Sequence, residues 1–418
     1  MAFFTAASKA DFQQQLRAAL AQHVDDPLLA QLGLFAEQFF GIVSLSELTE
    51  RRMADLVGST LASWRLLERF DPAQPEVRVF NPDFEKHGWQ STHTVVEVLH
   101  PDMPFLVDSV RMELTRRGLS IHTLQNSVLN VRRDADGVLQ ALLPRDAAPA
   151  DGGLESLIFV EIDRCASTAE LRELEQALQA VLGDVRQVVG DFAMMKARAD
   201  EAQARLELAN LPVDADELQE IRDFLRWLAD DHFTFLGYEE FSVVEQDGVG
   251  HIQYDEASLL GLSRTLRTNL SEDDQRLMPQ SVAYLREPLL LSFAKASTQS
   301  RVHRPAYPDY VSVREFDESG QVVRECRFMG LFTSSVYTQS VRRIPFIRRK
   351  VDAVLARADF GGSTHLNKEL AQVLEVLPRD ELFQASTDEL FDNAVAIVQI
   401  QERNRLRLFL RFDPYRRF

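Results

Sequence analysis

The chain has 418 residues, of which 45% are hydrophobic and 26% charged, a balance typical of a folded protein with about two to four domains. Its 64 acidic and 46 basic residues give a formal net charge of −18, which disfavours nucleic acids and anionic membranes as partners. The two cysteines, Cys165 and Cys326, are too few for a disulfide framework or a zinc site and fit a reducing compartment. We find no secretion signal and no apolar run of the roughly 20 residues that cross a bilayer. We therefore expect a cytoplasmic protein.

Apolar residues at helical spacing predict three helices between residues 8 and 70. The third begins near Ser44, and Glu47 follows three residues later in the spacing of a capping box. Such a small helical unit buries little surface by itself, so we expect it to pack against the part that follows. Residues 71–88 contain three prolines and are predicted to be a linker.

The stretch from Thr92 to Asp191 alternates between strand and helix periods. We predict strands at 94–99, 119–133, 155–162 and 185–189, helices at 102–118 and 167–183, and a loop at 140–153. Asp102 is placed to cap the first of these helices, and Gly118 to end it. The resulting β-α-β-β-α-β order is the split βαβ, ferredoxin-like arrangement.

The region from 193 to 343 begins with two helices and continues with an aromatic strand at 233–244. Asp247-Gly248 and Ser319-Gly320 are turn signals between strands. An antiparallel sheet with helices on one side is the simplest account of this region. The whole chain is therefore predicted to be α+β.

Three further helices are predicted between 344 and 401, and a strand begins at Arg405, shortly before the chain stops. A strand without a partner is a liability in a folded protein. We therefore expect this strand to be the start of a further unit whose remainder lies outside the chain.

We find no dinucleotide fingerprint, phosphate loop or nucleophile elbow in the sequence. Gly361-Gly362 follows a helix, so we interpret it as a helix end and loop. Adjacent residues point in different directions, so Asp230, Asp231 and His232 are interpreted as a helix end and a strand start. His100 is either a ligand contact or simply an exposed loop histidine.

The region 92–191 resembles an ACT domain, a module that binds amino acids beside many metabolic enzymes. More broadly, the chain resembles the N-terminal region of the large bacterial NAD-specific glutamate dehydrogenases. The resemblance is carried by residues 100–110 with 127–134, 227–238, 342–351 and 405–418.

This resemblance implies five segments: a helical unit at 1–85, an ACT-like domain at 86–192, a PAS-like α+β domain with leading helices at 193–343, a helical connector at 344–401, and the first strand of a second ACT-like domain at 402–418. It also implies that NAD binds in a distant C-terminal catalytic domain, so no cofactor, metal or catalytic residue is expected here. The expected partners are that catalytic domain, further copies of the chain and an amino-acid effector.

The resemblance places the effector near the loop after the first strand of the ACT-like domain. The candidate effector-binding residues are His100, Asp102, Met103, Pro104, Phe105 and Asn126. Amino-acid-binding ACT domains usually carry a glycine in this loop, whereas Phe105 lies near that position and its ring could block the pocket. Packing against another ACT-like unit is therefore the competing role.

We accordingly expect a non-catalytic regulatory and oligomerisation segment of a glutamate dehydrogenase. The alternatives are an assembly module that binds no effector and a free-standing amino-acid sensor.

Overall fold

The computed structural model describes residues 4–148, 153–206, 211, 213–268, 270–359 and 364–404. The chain forms two compact units, one of residues 1–189 with 300–305 and the other of residues 190–299 with 306–418. The predicted Gly361-Gly362 loop and the predicted strand at Arg405 lie outside the described residues.

The first unit begins with helices and continues with a five-stranded antiparallel sheet. Its helices are α1 Lys9–Leu20, α2 Asp26–Phe39, α3 Leu45–Thr49, α4 Met53–Leu67, α5 Phe84–His87, α6 Leu106–Arg116 and the part of α7 Thr168–Arg205 that precedes residue 190, where the second unit begins. Its strands are β1 Glu76–Phe80, β2 Thr94–Pro101, β3 Ile121–Arg133, β4 Leu139–Leu143 and β5 Leu154–Ile162, in the spatial order β1-β2-β5-β3-β4. Since β5 lies between β2 and β3, the split β2-α6-β3 arrangement predicted from the sequence is confirmed.

The capping box predicted at Ser44 is confirmed. The hydroxyl of Ser44 accepts a bond from the Glu47 amide at 3.3 Å, and the Glu47 carboxylate accepts one from the Ser44 amide at 3.1 Å. The predicted single third helix is nevertheless wrong, because the chain turns at residues 50–52 and divides it into α3 and α4.

The strand predicted at 185–189 is wrong, because α7 continues through it to Arg205. Val181, Val185 and Val188 are fully buried at helical spacing. Gly183 lies on an open part of the helix surface, since a Cβ added there would have no neighbouring atom within 4 Å. An apolar stripe of this kind holds a helix together despite a glycine.

The sheet position beside β2 is filled instead by β1, from the segment predicted to be a linker. Strand β1 pairs antiparallel with β2 from Glu76 opposite Leu99 to Phe80 opposite Val95. Part of the predicted loop at 140–153 is likewise strand β4, which pairs with β3. Both strands are only five residues long, and prolines and acidic residues that are typical of loops flank them in the sequence.

The N-terminal helices pack on one face of this sheet, which confirms the packing predicted from their small size. The ring of Phe39 in α2 meets that of Phe159 in β5 edge-on at 5.6 Å between centroids. The hydroxyl of Ser127 in β3 donates to the carbonyl of Gln38 at 3.3 Å. Since α2 and α4 occupy this face, α6 and α7 cover the other.

A carboxyl group is buried under the helical layer. Glu97 in β2 has no exposed surface, accepts a 2.6 Å bond from the Ser63 hydroxyl of α4 and lies 3.4 Å from the Arg78 guanidinium of β1. Burial raises the pKa of Glu97 above its usual range, against the opposing effect of Arg78.

The second unit is built on one antiparallel sheet with the main-path order β7-β6-β11-β10-β9. Its strands are β6 Phe233–Gln246, β7 Val249–Tyr254, β8 Leu260–Gly261, β9 Leu291–Lys295, β10 Asp309–Phe316 and β11 Val322–Phe332. Its further helices are α8 Ala215–Trp227, α9 Leu262–Arg267, α10 Glu272–Gln275, α11 Pro279–Leu285, α12 Ser334–Thr338, α13 Ile347–Asp359, α14 Thr364–Val376, α15 Arg379–Gln384 and α16 Thr387–Asn404.

The predicted turns of this unit are confirmed. Asp247 and Gly248 both have positive φ, 52° and 77°, as a two-residue hairpin requires, and Gly320 has a φ of 78°. Helices cover both faces of the sheet rather than the single face predicted, because α9 and α11 lie on the side opposite the main apolar core.

We expect the buried Glu97 to make the first unit less stable as pH rises. Its folded pKa is above the ordinary carboxyl value of 4.5, so the folded state holds this proton more tightly than the unfolded state does. The free energy of unfolding therefore falls as pH rises from the ordinary value through the folded pKa. Glu97→Gln removes this fall, as measured by hydrogen–deuterium exchange of peptides covering β2 and α4 between pH 4.5 and 8.

Glu318→Gln is the matched control, because Glu318 is exposed in the turn between β10 and β11. It should follow the native chain at every pH. Parallel pH curves for the Glu97→Gln and native chains would contradict the buried-carboxyl interpretation.

Candidate functional site

The predicted effector loop lies at the end of β2, where His100 is fully buried rather than exposed. Its Nδ1 lies 2.8 Å from the Pro101 carbonyl oxygen, and burial lowers its pKa below the usual range. Asp102 does not cap α6 as predicted, since its carboxylate accepts a 2.6 Å bond from the Ser156 hydroxyl of β5.

Phe105 is the N-cap residue of α6 and has a φ of 73°, a left-handed conformation that favours glycine. The structure thus explains why a glycine would suit this position. The Phe105 ring contacts His303, with 4.7 Å between centroids, and the His303 amide donates to the Ser109 hydroxyl at 3.3 Å. The loop is therefore engaged by residues 300–305 of the same unit.

The other candidate residues are less closely grouped. Met103 is half-buried and Pro104 is exposed in the same loop. Asn126 lies on β3, separated from β2 by β5, and it is opposite Ile158 whereas His100 is opposite Ser156. The pairing puts Asn126 and His100 on the same sheet face but in different rows. Effector binding by this set stays a prediction.

The adjacent acidic pair and histidine form a helix end, as interpreted from the sequence. His232 bonds through Nδ1 to the Trp227 carbonyl at 2.9 Å, and the two rings stack at 4.4 Å. Asp231 has a φ of 57° and its side chain is exposed. The histidine is thus held against the end of α8.

Among the described residues, no group of three or more His, Cys, Asp and Glu side chains is arranged to hold a metal ion. Within the same residues, no helix has both the length and the apolar character of a membrane span.

A large cleft that sequence reasoning missed lies at the end of the sheet opposite the predicted effector loop. It has a volume of about 1130 Å³, and we call it the polar cleft. It is lined by residues within 47–55 and 82–93 together with His122, Thr123, Glu161 and Arg164.

An ion pair forms the floor of the polar cleft. The guanidinium of Arg51 pairs with the buried carboxylate of Glu161 and donates to the Thr123 hydroxyl at 3.2 Å. The Ser91 hydroxyl donates to the same carboxylate at 3.2 Å. The helical layer and two strands of the sheet are thereby joined at this end.

Two histidines stand beside that floor. The rings of His93 and His122 contact each other at a tilt of 34°, with 4.1 Å between centroids, and His122 Nε2 lies 2.8 Å from the Asp163 carboxylate. Hydrogen bonds from Ser120, followed by the one from His122, lower the pKa of Asp163 to about 2. The carboxylate is therefore charged throughout the physiological range and fixes the orientation of His122.

No local sequence signal marks the polar cleft, because its lining side chains come from the α3–α4 turn, the β1–β2 connection and the ends of three strands. Most of these residues are charged or polar and, taken alone, are typical of an exposed surface. Only the pairing of the strands and the docking of the helices bring them together.

A second charged cluster lies on the α9 side of the sheet in the second unit. The buried carboxylate of Glu239 accepts two bonds from Arg267, at 2.8 and 3.1 Å, and lies 3.5 Å from Arg327. Arg327 also pairs with Glu325 at 2.6 Å, and Glu325 pairs with the fully buried Arg314 at 3.1 Å. We call these five residues the charged lattice.

Aromatic rings contact the three arginines of the charged lattice. The guanidinium carbon of Arg267 lies 5.1 Å from the ring centroid of Tyr254. The guanidinium carbon of Arg327 lies 4.5 Å from the centroid of Phe241 and 5.2 Å from that of Tyr310. The guanidinium carbon of Arg314 lies 5.0 Å from the centroid of Tyr284. Cation–π contacts of this kind stabilise desolvated guanidinium groups. The charged lattice is therefore a packed part of the unit rather than an open site.

Two family models match the chain. One described as "Glutamate dehydrogenase, ACT1 domain" matches residues 35–178, and one described as "Glutamate dehydrogenase, helical motif 1" matches residues 344–403. The first match confirms the predicted ACT-like domain and extends it to include part of the N-terminal helical layer.

The chain is also similar to curated proteins called NAD-specific glutamate dehydrogenase. It is 66% identical to the one from Pseudomonas aeruginosa, over all of this chain and 26% of that protein. It is 44% identical to the one from Halomonas elongata, over 98% of this chain and 26% of that protein. The one from Mycobacterium tuberculosis is 31% identical over 75% of this chain and 18% of that protein. The chain thus spans about a quarter of the length of the first two relatives.

Among solved structures, one described as "Structure of an RNA-binding Light-Oxygen-Voltage Receptor" aligns with 66% of this chain and 82% of that chain, at 10% identity and a TM-score of 0.15. A score this low carries no argument about fold or function.

We expect Glu239→Gln to destabilise the second unit by about 3–5 kcal/mol, because it leaves the largely buried guanidinium group of Arg267 without its carboxylate and removes one of the two carboxylates beside Arg327. Hydrogen–deuterium exchange of peptides covering β6 and β11 measures this loss. The exposed Glu318→Gln is the control and should leave exchange unchanged. A loss below about 1 kcal/mol, the usual value of a surface pair, would show that the charged lattice is not a desolvated unit.

Proposed function

Because the chain belongs to the family of the large NAD-specific glutamate dehydrogenases and corresponds to their N-terminal quarter, we propose that it is the regulatory and assembly segment of such an enzyme. The whole enzyme would convert L-glutamate, NAD⁺ and water into 2-oxoglutarate, ammonia and NADH. NAD and the reacting groups would belong to a catalytic domain further along the same polypeptide. The proposed division of this segment has boundaries near residues 85, 192, 343 and 401.

The observation that carries the proposal is the 66% identity over the full 418 residues. The environment of the two cysteine thiols is consistent with a segment that carries no catalytic site. Burial raises the pKa of the Cys326 thiol to about 12 and also raises the pKa of the Cys165 thiol. A thiol held in its neutral form is a poor nucleophile. Both cysteines are thus suited to packing rather than to chemistry.

We further propose that the second unit is PAS-like and serves assembly. In support, its antiparallel sheet carries helices α9 to α11 between its second and third main strands, folded over one face. A PAS-like ligand would be expected on that face, where the charged lattice already fills the space beside Glu239 and Arg327. The unit is therefore better suited to holding subunits or domains than to binding a cofactor.

Regulation would be exerted through the ACT-like domain of the first unit. The loop containing His100, Asp102, Met103, Pro104 and Phe105, together with Asn126 on β3, stays a proposed effector site. An effector at this loop would have to compete with His303, whose ring lies 4.7 Å from that of Phe105. The second candidate function, assembly without an effector, is favoured by this same contact.

The proposed partners are the downstream catalytic domain, further copies of the chain in a homo-oligomer and an amino-acid effector, and the proposed location is the cytoplasm. A coupling of about 1–3 kcal/mol between effector and catalytic sites would suffice for regulation.

The decisive experiment compares the full-length polypeptide with residues 1–418 alone. We expect the full-length protein to reduce NAD⁺ in the presence of L-glutamate, as followed by NADH absorbance, and residues 1–418 to produce no NADH. Turnover by residues 1–418 would overturn the non-catalytic assignment. Absence of glutamate-dependent turnover in the folded full-length protein would overturn the enzyme assignment itself.

A further inference from the structure

The loop between β9 and β10 contributes a short segment to the first unit, residues 300–305. We call this segment the strap and propose that it is a releasable cover over the start of α6, closed in this structure and able to open while the first unit stays folded. The existence of the strap is independent of the proposed function. Its use in regulation rests on the proposed regulatory role, because opening would free the adjacent Phe105.

The strap contacts the first turn of α6. The ring of His303 lies 4.7 Å from that of Phe105 between centroids, and the His303 amide donates to the Ser109 hydroxyl at 3.3 Å. The Ser109 amide in turn donates to the Phe105 carbonyl at 3.0 Å, so both contacts fall on one turn of the helix. Val302, next to His303, has no exposed surface. A fully buried apolar side chain therefore anchors the strap.

Polar contacts hold the strap only loosely. Arg301 lies 3.8 Å from the carboxylate of Asp184 on α7, which is longer than the roughly 2.7–2.9 Å of a charge-assisted hydrogen bond. Within the described part of the chain, Arg301 Nε and His303 Nδ1 are buried without a hydrogen-bond partner. Such groups lose their hydration when the strap docks and gain no protein partner in return. The closed state thus carries a cost that an open, hydrated strap does not have.

The closed state also holds two residues in a strained backbone conformation. Phe105 and His303 both have a φ of 73°, in the left-handed region where a Cβ crowds the following carbonyl oxygen. They are two of the five non-glycine residues with positive φ in the described part of the chain, and their rings are in contact. Strained positions persist only where the surrounding structure imposes them, and they cluster in switch regions. Release of the strap lets His303 return to an ordinary conformation.

The strap is ordered by its own hydrogen bonds. The Ser300 hydroxyl accepts a bond from the Val302 amide at 3.1 Å and donates to the Val302 carbonyl at 2.8 Å. The Arg304 amide donates to the same carbonyl at 3.0 Å. Residues 297–299 before the strap are exposed, and Tyr307 after it is 41% exposed. The strap can therefore leave α6 as one piece, because its shape does not depend on the helix and side chains that face solvent flank it.

A permanent clamp is the alternative to a releasable strap. A clamp of that kind would contribute several side chains to the core, whereas Val302 is the one buried apolar side chain of the strap. Val302 belongs neither to the core of the second unit nor to the core between the N-terminal helices and the first sheet. The strap thus adds a single anchor to the first unit, which favours opening without unfolding.

Hydrogen–deuterium exchange of the 418-residue chain, followed on peptides covering the strap, α6 and β5, tests the proposal. Val302→Ser removes the apolar anchor and should raise exchange in the strap and in the first turn of α6 at least about tenfold. Exchange in β5 should stay at the native value, because local opening does not require the sheet to unfold. Thr298→Ala, at an exposed position just before the strap, is the matched control and should follow the native chain.

Two substitutions of His303 separate the ring contact from the backbone strain. His303→Ala and His303→Gly both remove the ring, but glycine adopts a φ of 73° without a Cβ penalty. We therefore expect exchange in the strap and in the first turn of α6 to be at least about threefold slower in His303→Gly than in His303→Ala.

The proposal is overturned if Val302→Ser raises exchange in β5 together with that in the strap, since the strap would then be a fixed part of the core. Native exchange of α6 in Val302→Ser would also overturn it, because the strap would then not cover the helix. Equal exchange in His303→Ala and His303→Gly would overturn the strained closed state. No glutamate turnover enters these measurements, so their failure leaves the proposed dehydrogenase role standing.

Discussion

Strands β2 and β5 are buried on both faces along nearly their whole length, so the sheet of the first unit needs cover on two sides. Helices α6 and α7 follow strands of the same ACT-like domain and supply one side. The other side depends on the N-terminal helices, through contacts such as that between Phe39 and Phe159. Burial of apolar surface is the largest favourable contribution to such an assembly. The helical layer is therefore part of the domain's core and not a separate appendage.

Covering the sheet in this way also creates the polar cleft. The turn between α3 and α4 reaches the end of the sheet where β2 and β3 begin, and the β1–β2 connection closes the cleft from the side. Charged groups there cannot all be solvated, so Arg51 and Glu161 pair across the junction. The ion pair fixes the helical layer relative to the sheet and gives the cleft a rigid, polar floor. The polar cleft and the contact between the helical layer and the sheet thus share the same residues.

In the second unit, charged side chains are buried on one face of the sheet. Its sheet has an apolar face, with Phe235, Tyr238 and Phe328 in the core, and a polar face filled by the charged lattice. Burying several charges is costly unless each is paired and packed, and here each arginine lies against an aromatic ring. Such an arrangement favours one geometry of strands and covering helices over others, which suits a unit whose proposed task is assembly.

Much of this architecture was accessible from the residues alone, because hydrophobic periodicity and turn chemistry are local. The capping box at Ser44, the hairpin turn at Asp247-Gly248 and the β2-α6-β3 order followed from spacing, and the family followed from segments spread over the chain. Edge strands β1 and β4 could not be predicted from spacing, because such short segments are recognised as strands only when the partner strand is known. The continuation of α7 past Gly183 was missed because a glycine ends a helix only where no apolar stripe carries the helix further.

The sequence by itself thus determined the kind of elements, their order and the family of the chain. Only the tertiary structure decided which strand stands beside β2, that His303 lies against Phe105, and that side chains as distant along the chain as Arg51 and Glu161 meet. The physical reason is that a sequence pattern reports only on residues that are close to one another along the chain. Periodicity reports how a residue faces its neighbours in the chain, whereas a cleft is defined by side chains that come together only when separate elements bury their apolar faces against one another.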